Sequence, residues 1–225
     1  MTTLTMNEFD LPVRPGHRDD YLVDVTDHSL GRNLPQRVAA RLWAPMLAMA
    51  LMAFLAAVVL AAVRAGLVSD ADPADAATIA RLGHITAGVM FIGFASVFSA
   101  ITFAIARILG EFRSGGGLIQ EAAGVEVETL RMPATAKAMI AGMMLAMMLI
   151  LVPVALHFVA AGSVVGSAEV DLLRAEQWFD RLEAVRRVGV SVYLASIALG
   201  LATVVRVLRF QTVRIREVAG SRSVG

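Results

Sequence analysis

The sequence predicts an all-α integral membrane protein: a four-helix bundle with both termini in the cytoplasm and with helices 2 and 4 extended beyond the bilayer. Four uncharged apolar blocks of 18 to 31 residues carry this prediction, because about 20 apolar residues span a hydrocarbon core of about 30 Å. Composition agrees: 57% of the residues are hydrophobic and 17% are charged, against roughly a quarter charged in soluble domains. The uneven distribution of basic residues then sets the orientation.

Residues 1–43 are predicted to form a polar cytoplasmic tail. They hold no apolar run and are rich in acids, so a cleaved secretory signal is not expected. Proline and glycine are expected to interrupt any long helix here, at Pro12, Pro15, Gly16, Gly31 and Pro35. A cluster of acids and histidines has no metal-ligand spacing and favours a solvated or partner-docking segment; it comprises His17, Asp19, Asp20, Asp24, Asp27 and His28.

The membrane domain is predicted to cover residues 44–205, and its first span to cover about 44–63. Small residues recur there every four positions and favour close packing of another helix; they are Ala53, Ala57 and Ala61. Asp72 is suited to cap a second helix that begins with Pro73. That helix is expected to run to about Arg113.

The second span is predicted at about 82–106, an uncharged stretch in which Gly88 and Gly93 suit close helix packing. Residues 107–137 are predicted to form a cytoplasmic loop. The run Ser114-Gly-Gly-Gly117 is expected to end the helix, because glycine is a poor helix former. Residues 119–130 fit a short helix or a strand, and the pattern does not choose between them.

The third span is predicted at about 138–160, kinked at Pro153, with residues 162–166 as its exit loop. An outer amphipathic helix at 169–187 follows, with an apolar stripe of Leu172, Ala175, Phe179, Leu182 and Val185. It leads into the fourth span, about 188–205, in which Ser196 and Gly200 form another close-packing pair. Residues 206–225 are predicted to be a basic cytoplasmic tail.

The orientation follows from the basic residues. Fourteen of the twenty lie in the tail 1–43, the loop 107–137 and the segment 206–225, which the positive-inside rule places in the cytoplasm. Four of them lie at inner span boundaries, where each attraction to anionic headgroups is worth about 1 kcal/mol; these predicted lipid anchors are Arg41, Arg107, Lys137 and Arg206. A single lysine among the twenty indicates a GC-rich coding bias, so we expect the inner (plasma) membrane of a bacterium.

Two histidines are the candidate metal ligands. His84 lies about 15 Å outward of the middle of the second span, and His157 about 10 Å outward of the middle of the third. Two imidazoles at similar depth suit axial ligation of haem b, or a copper or zinc ion. Glu183, Arg186 and Arg187 are expected just above them as carboxylate or propionate partners. The alternative is that neither histidine binds a metal or cofactor and both rings reach water or a headgroup at the interface.

The third span also carries methionines at i, i+4 and i+8, namely Met139, Met143 and Met147. Thioethers at this spacing suit passage of Cu(I), although methionine is more often an adaptable filler of helix interfaces.

The absence of cysteine excludes disulfides, iron–sulfur clusters and thiolate metal sites. Net charge of +1 gives no sign of nucleic-acid binding, and no catalytic motif or intramembrane carboxylate is present. The sequence therefore favours a non-catalytic accessory or structural subunit, with the lipid bilayer and other membrane subunits or further copies of itself as partners. A haem b- or copper-binding redox subunit using His84 and His157 is the alternative, and a small-solute transporter or channel is the third. No cofactor is assigned.

Overall fold

Four long helices and a small antiparallel sheet make up the computed structural model, which describes residues 20–70, 72–164, 166 and 168–222. In chain order the elements are β1 (Val23–Thr26), α1 (Leu34–Asp70), α2 (Ala76–Ala122), β2 (Val127–Leu130), α3 (Ala134–Ser163) and α4 (Glu169–Arg222). All four helices are long and apolar enough to cross a membrane. The all-α class is therefore confirmed, and the helices indicate a multi-pass membrane protein.

The chain divides into two compact units. The bundle unit holds residues 32–110 and 132–204. The sheet unit holds the described residues among 20–31, 111–131 and 205–222. The apolar spans belong to the bundle unit, and both strands belong to the sheet unit.

The core of the bundle unit lies between α2, α3 and α4. Phe98 of α2 stacks on Tyr193 of α4 with ring centroids 4.5 Å apart. The Tyr193 hydroxyl lies 3.1 Å from Thr102 Oγ1, which also donates to the Met143 sulfur at 3.1 Å. The buried core cluster is Phe91, Ala95, Phe98, Ile105, Met139, Met143, Ala146, Ile150, Val154 and Tyr193.

Glycines allow the helices to approach closely. A Cβ on Gly93 would lie 2.7 Å from the Phe54 ring of α1, and one on Gly88 would lie 3.0 Å from the Phe158 ring of α3. Gly200 faces Met139 and is also buried. Ser196, 2% exposed, fills the space beside Gly142.

The buried stripe of α1 differs from the predicted one. Ala53 and Ala57 are buried, but Ala61 is exposed and Ala50 is buried instead. At about 100° per residue Ala61 lies only about 20° from Ala50 around the helix, so rotation does not account for its exposure. Residues 61–66 are all exposed, whatever face of α1 they occupy.

The starts of α1 and of the 3₁₀ turn that precedes α2 both have side-chain caps. Asn33 Oδ1 accepts from the Gln36 amide at 3.1 Å while the Gln36 side chain accepts from the Asn33 amide at 3.0 Å, a reciprocal capping box. Pro35 therefore lies in the first turn of α1, where proline is tolerated, and does not interrupt a helix. The predicted cap at Asp72 is confirmed: its Oδ1 accepts from Ala74 N at 2.9 Å, opening a short 3₁₀ turn (Pro73–Asp75) before α2.

The sheet unit is built on pairing between distant strands. β1 and β2 are antiparallel, with Val23 opposite Leu130 and Thr26 opposite Val127. This resolves the choice left open for residues 119–130: α2 continues to Ala122, and a strand begins at Val127. It also places a strand inside the stretch predicted as a polar tail. Of the acidic cluster there, Asp24 pairs with Arg131 at 2.9 Å, whereas His17 and Asp19 lie outside the described residues.

A buried polar network holds the sheet unit together. Arg214 of α4 lies 3.2 Å from the Glu128 carboxylate and bonds Glu217 at 2.6 Å. Gln120 of α2 donates to the Glu128 carbonyl and accepts from the Glu128 amide, at 3.1 and 2.8 Å. These bonds tie the ends of two helices to β2.

The prediction that Ser114-Gly-Gly-Gly117 ends the second helix, near Arg113, is wrong. α2 runs through this segment to Ala122. Gly116 lies against the Gln211 side chain and Gly117 against Ser29, so these two glycines sit where another segment of the chain approaches the helix, whereas Gly115 has open space beside it. The helix continues through the run despite a cost of about 1 kcal/mol per helical glycine.

Candidate functional site

The predicted histidine pair is brought together in the bundle unit. His84 of α2 and His157 of α3 are 2% and 0% exposed. Their Nδ1 atoms are 2.9 Å apart, and their ring centroids are 5.1 Å apart at an interplanar angle of 50°. Both rings are therefore buried against each other, and the alternative in which they reach water or a headgroup does not fit this geometry.

The hydrogen-bond partners set the tautomers. His84 Nε2 lies 3.2 Å from the Ala175 carbonyl, which can only accept, so His84 carries its proton on Nε2. In a neutral His84 the Nδ1 atom is then an acceptor, and His157 Nδ1–H donates to it. His157 Nε2 is left with a bare lone pair and has no hydrogen-bond partner among the described residues.

Arg186 of α4 is the third member of the site. It is 2% exposed, and its guanidinium carbon lies 4.1 Å from the centroid of the Phe91 ring. Its Nε and Nη1 atoms are buried without an acceptor in the described part of the chain. A desolvated cation–π contact is worth about 2 kcal/mol, which offsets only part of the several kcal/mol that burying an ion costs.

Phe179 joins the histidines to the arginine. Its ring centroid lies 5.6 Å from that of His84, 5.5 Å from that of His157 and 5.7 Å from the Arg186 guanidinium carbon. Three helices thus supply one cluster of two buried imidazoles, one buried cation and two aromatic rings.

The predicted stripe of the outer helix is shifted at its end. Ala175, Phe179 and Leu182 face inward as predicted, but Val185 is 41% exposed and Arg186 takes the next buried position. Residues at i+4 share a helix face, so Arg186 follows Leu182. The sequence placed Arg186 close to the histidines but gave no sign that it was buried, because a charged residue at a span boundary is ordinarily solvated.

The other expected partners of the pair are engaged elsewhere. Glu183 forms an ion pair with Arg187 at the surface of α4.

The other residues singled out in the sequence lie apart from the histidine pair. Among the methionines, Met139 and Met143 are buried in the core and Met147 is half-buried. The predicted lipid anchors Arg41, Arg107, Lys137 and Arg206 all have exposed side chains.

The geometry does not favour a metal ion between the rings. Zinc–nitrogen bonds of 2.0–2.1 Å place two imidazole nitrogens on one ion about 3.3 Å apart or more, and the observed Nδ1 atoms are closer. In the described part of the chain, no group of three or more metal-binding side chains gathers here or elsewhere. The Arg186 charge further disfavours a cation in this cluster.

Comparison with known protein families, with curated proteins and with solved structures finds no match to this chain.

Proposed function

We propose that this protein is a non-catalytic accessory or structural subunit of a membrane complex, located in the inner membrane of a bacterium. The observation that carries the proposal is the continuous packed core of the bundle unit. It extends from Phe91 to Ile105 on α2 and from Met139 to Val154 on α3, each about 20 Å of helix. Apolar side chains packed over most of the span depth favour a scaffold over a solute pathway.

The sheet unit supports the proposed topology. It gathers the segment before α1, the segment between α2 and α3, and the end of α4 into one compact unit. This assembly supports placing all three segments on one side of the membrane, and the excess of basic residues in them favours the cytoplasm. The sheet unit is the part of the chain that we propose contacts cytoplasmic regions of the partner subunits.

Topology is tested with reporters inserted into loops. Gly124, at φ +69° between α2 and β2, and Gly166, between α3 and α4, are suitable positions. A cytoplasm-dependent reporter should be active at Gly124 and inactive at Gly166. Activity at Gly166 alone would reverse the orientation.

The subunit role is tested by crosslinking in native membranes, followed by mild detergent extraction. A stoichiometric complex larger than the 23.9 kDa chain is expected. Arg214→Leu, which breaks the sheet-unit network, should lower the yield of this complex. The exposed Arg209→Leu on the same helix should not. Recovery of wild type as a lone monomer that supports solute flux in liposomes would overturn the proposal in favour of transport.

A redox subunit is the second candidate, and the meeting of His84 with His157 is the observation that favours it. Haem b ligation by both would require the rings to separate from their direct 2.9 Å contact, with Arg186 available to a propionate. A Soret band in purified protein that is lost in His84→Ala would establish this function. A colourless, metal-free preparation from native membranes would eliminate it.

A further inference from the structure

A cavity of about 390 Å³ opens at one end of the bundle unit, beside the histidine pair. Three helices line it: Arg64 of α1, the first turns of α2, and the segment of α4 that carries Glu176, Phe179 and Asp180. Its volume lies within the range of small-molecule sites. Its walls are mainly apolar, formed by Ile79, Ala80, Leu172 and the Phe179 ring.

The charges around the cavity are of both signs. Glu176 and Asp180 are four residues apart, so their carboxylates share one face of α4. Arg64 is held by a 3.3 Å bond from Nε to the Ile79 carbonyl, and its guanidinium packs over Gly83. Among ion pairs of described residues, none within 4.0 Å joins Arg64 to either carboxylate. A cation and two anions thus face one apolar cavity without neutralising each other.

The cavity lies where predicted spans end. Arg64 directly follows the first span, and Gly83 and His84 open the second. This depth is that of lipid headgroups, and the apolar walls suit the glycerol backbone and the first methylenes of acyl chains.

We propose that this cavity binds the headgroup of a zwitterionic phospholipid with a primary ammonium, phosphatidylethanolamine being the type. The phosphodiester accepts from Arg64, and the ammonium donates to Glu176 and Asp180. A primary ammonium has three donors for two carboxylates. A quaternary ammonium has none and is typically recognised by cages of Trp, Tyr and Phe rings, whereas Phe179 is the one side chain of these three types in the described lining.

The experiment is native mass spectrometry of the full chain, released from nanodiscs that contain equal amounts of phosphatidylethanolamine and phosphatidylglycerol. Wild type should retain one phosphatidylethanolamine in preference to phosphatidylglycerol, which lacks the ammonium. Glu176→Gln should lower this preference about two- to fivefold, the effect of one partly exposed charge pair. Arg64→Gln removes the partner of a phosphodiester that both lipids carry, so it should lower the retention of both lipids by a similar factor and leave the preference in place.

Matched controls lie on the same helices outside the cavity. Arg37→Gln on α1 and Glu169→Gln on α4 should retain the wild-type preference. Equal retention of the two lipids by wild type would overturn the proposal without any variant. Loss of preference in Glu169→Gln to the same extent as in Glu176→Gln would also overturn it, and so would loss of retention in Arg37→Gln to the same extent as in Arg64→Gln. Soluble phosphoethanolamine competing as well as the lipid would identify a free zwitterion as the ligand and also overturn it.

Discussion

Replacing the histidine pair tests the hydrogen bond between the two buried rings. His157→Leu leaves the acceptor Nδ1 of His84 buried without a donor, and His84→Leu leaves the His157 Nδ1–H without an acceptor. A buried polar group stripped of its partner costs about 1–3 kcal/mol, whereas replacing both partners by apolar groups is nearly neutral. The double variant His84→Leu/His157→Leu should therefore be more stable than the sum of the two single costs predicts. The bond from His84 Nε2 to the Ala175 carbonyl is lost in both variants that lack His84, so it cancels from the comparison.

The assay is reversible unfolding in mixed micelles, followed by circular dichroism, with a double-mutant cycle over the four proteins. We expect a coupling energy of about 1–3 kcal/mol. His28→Leu, at an exposed histidine of the sheet unit, should change the free energy of unfolding by less than about 0.5 kcal/mol. Single-variant costs that simply add in the double variant would refute the tautomer assignment and the direct bond.

Two further predictions concern single positions. Gly93→Ala should destabilise the bundle by about 1–3 kcal/mol in the same assay, because the new Cβ would lie 2.7 Å from the Phe54 ring; Gly66→Ala has open space and should stabilise by up to about 1 kcal/mol, and an equal effect at both sites would contradict the packing. Hydrogen bonds from Ser29 hold the pKa of Glu121 below its ordinary value, so this carboxylate stabilises the fold above its unfolded pKa and the stabilisation is lost as pH falls through the folded one. Glu121→Gln should thus be less stable than wild type at pH 7 and indistinguishable from it well below about pH 4, whereas a difference that grows on acidification would reverse the assignment.

The spans and the histidine pair were accessible to sequence reasoning, because both depend on distance along a helix. An uncharged run of known length gives depth at about 1.5 Å per residue. Counting from the span centres put His84 and His157 at similar depth, and the structure brings them into contact. Depth does not give the rotation of a helix, so the direct Nδ1 contact and the burial of Arg186 were not predictable.

The two strands of the sheet unit could not be predicted from the sequence, for a different reason. Each strand has four residues, too few for an alternating pattern to be recognised, and the partner of β1 is β2, far along the chain. Gly116 was taken as a helix breaker on its intrinsic propensity, which the contact with Gln211 overrides. Of the cavity charges, Arg64 was counted only for orientation, and the acids Glu176 and Asp180 were seen only as part of the polar face of the outer helix.

The pairing of β1 with β2 has a consequence for biogenesis. β1 leaves the ribosome about 100 residues before β2, or about 5–20 s earlier at 5–20 residues per second. Arg214, which completes the network around Glu128, emerges about 85 residues later still. The network around Glu128 therefore cannot be completed until most of α4 has been synthesised. Closure of the sheet unit thus follows the synthesis of all four long helices of the described chain.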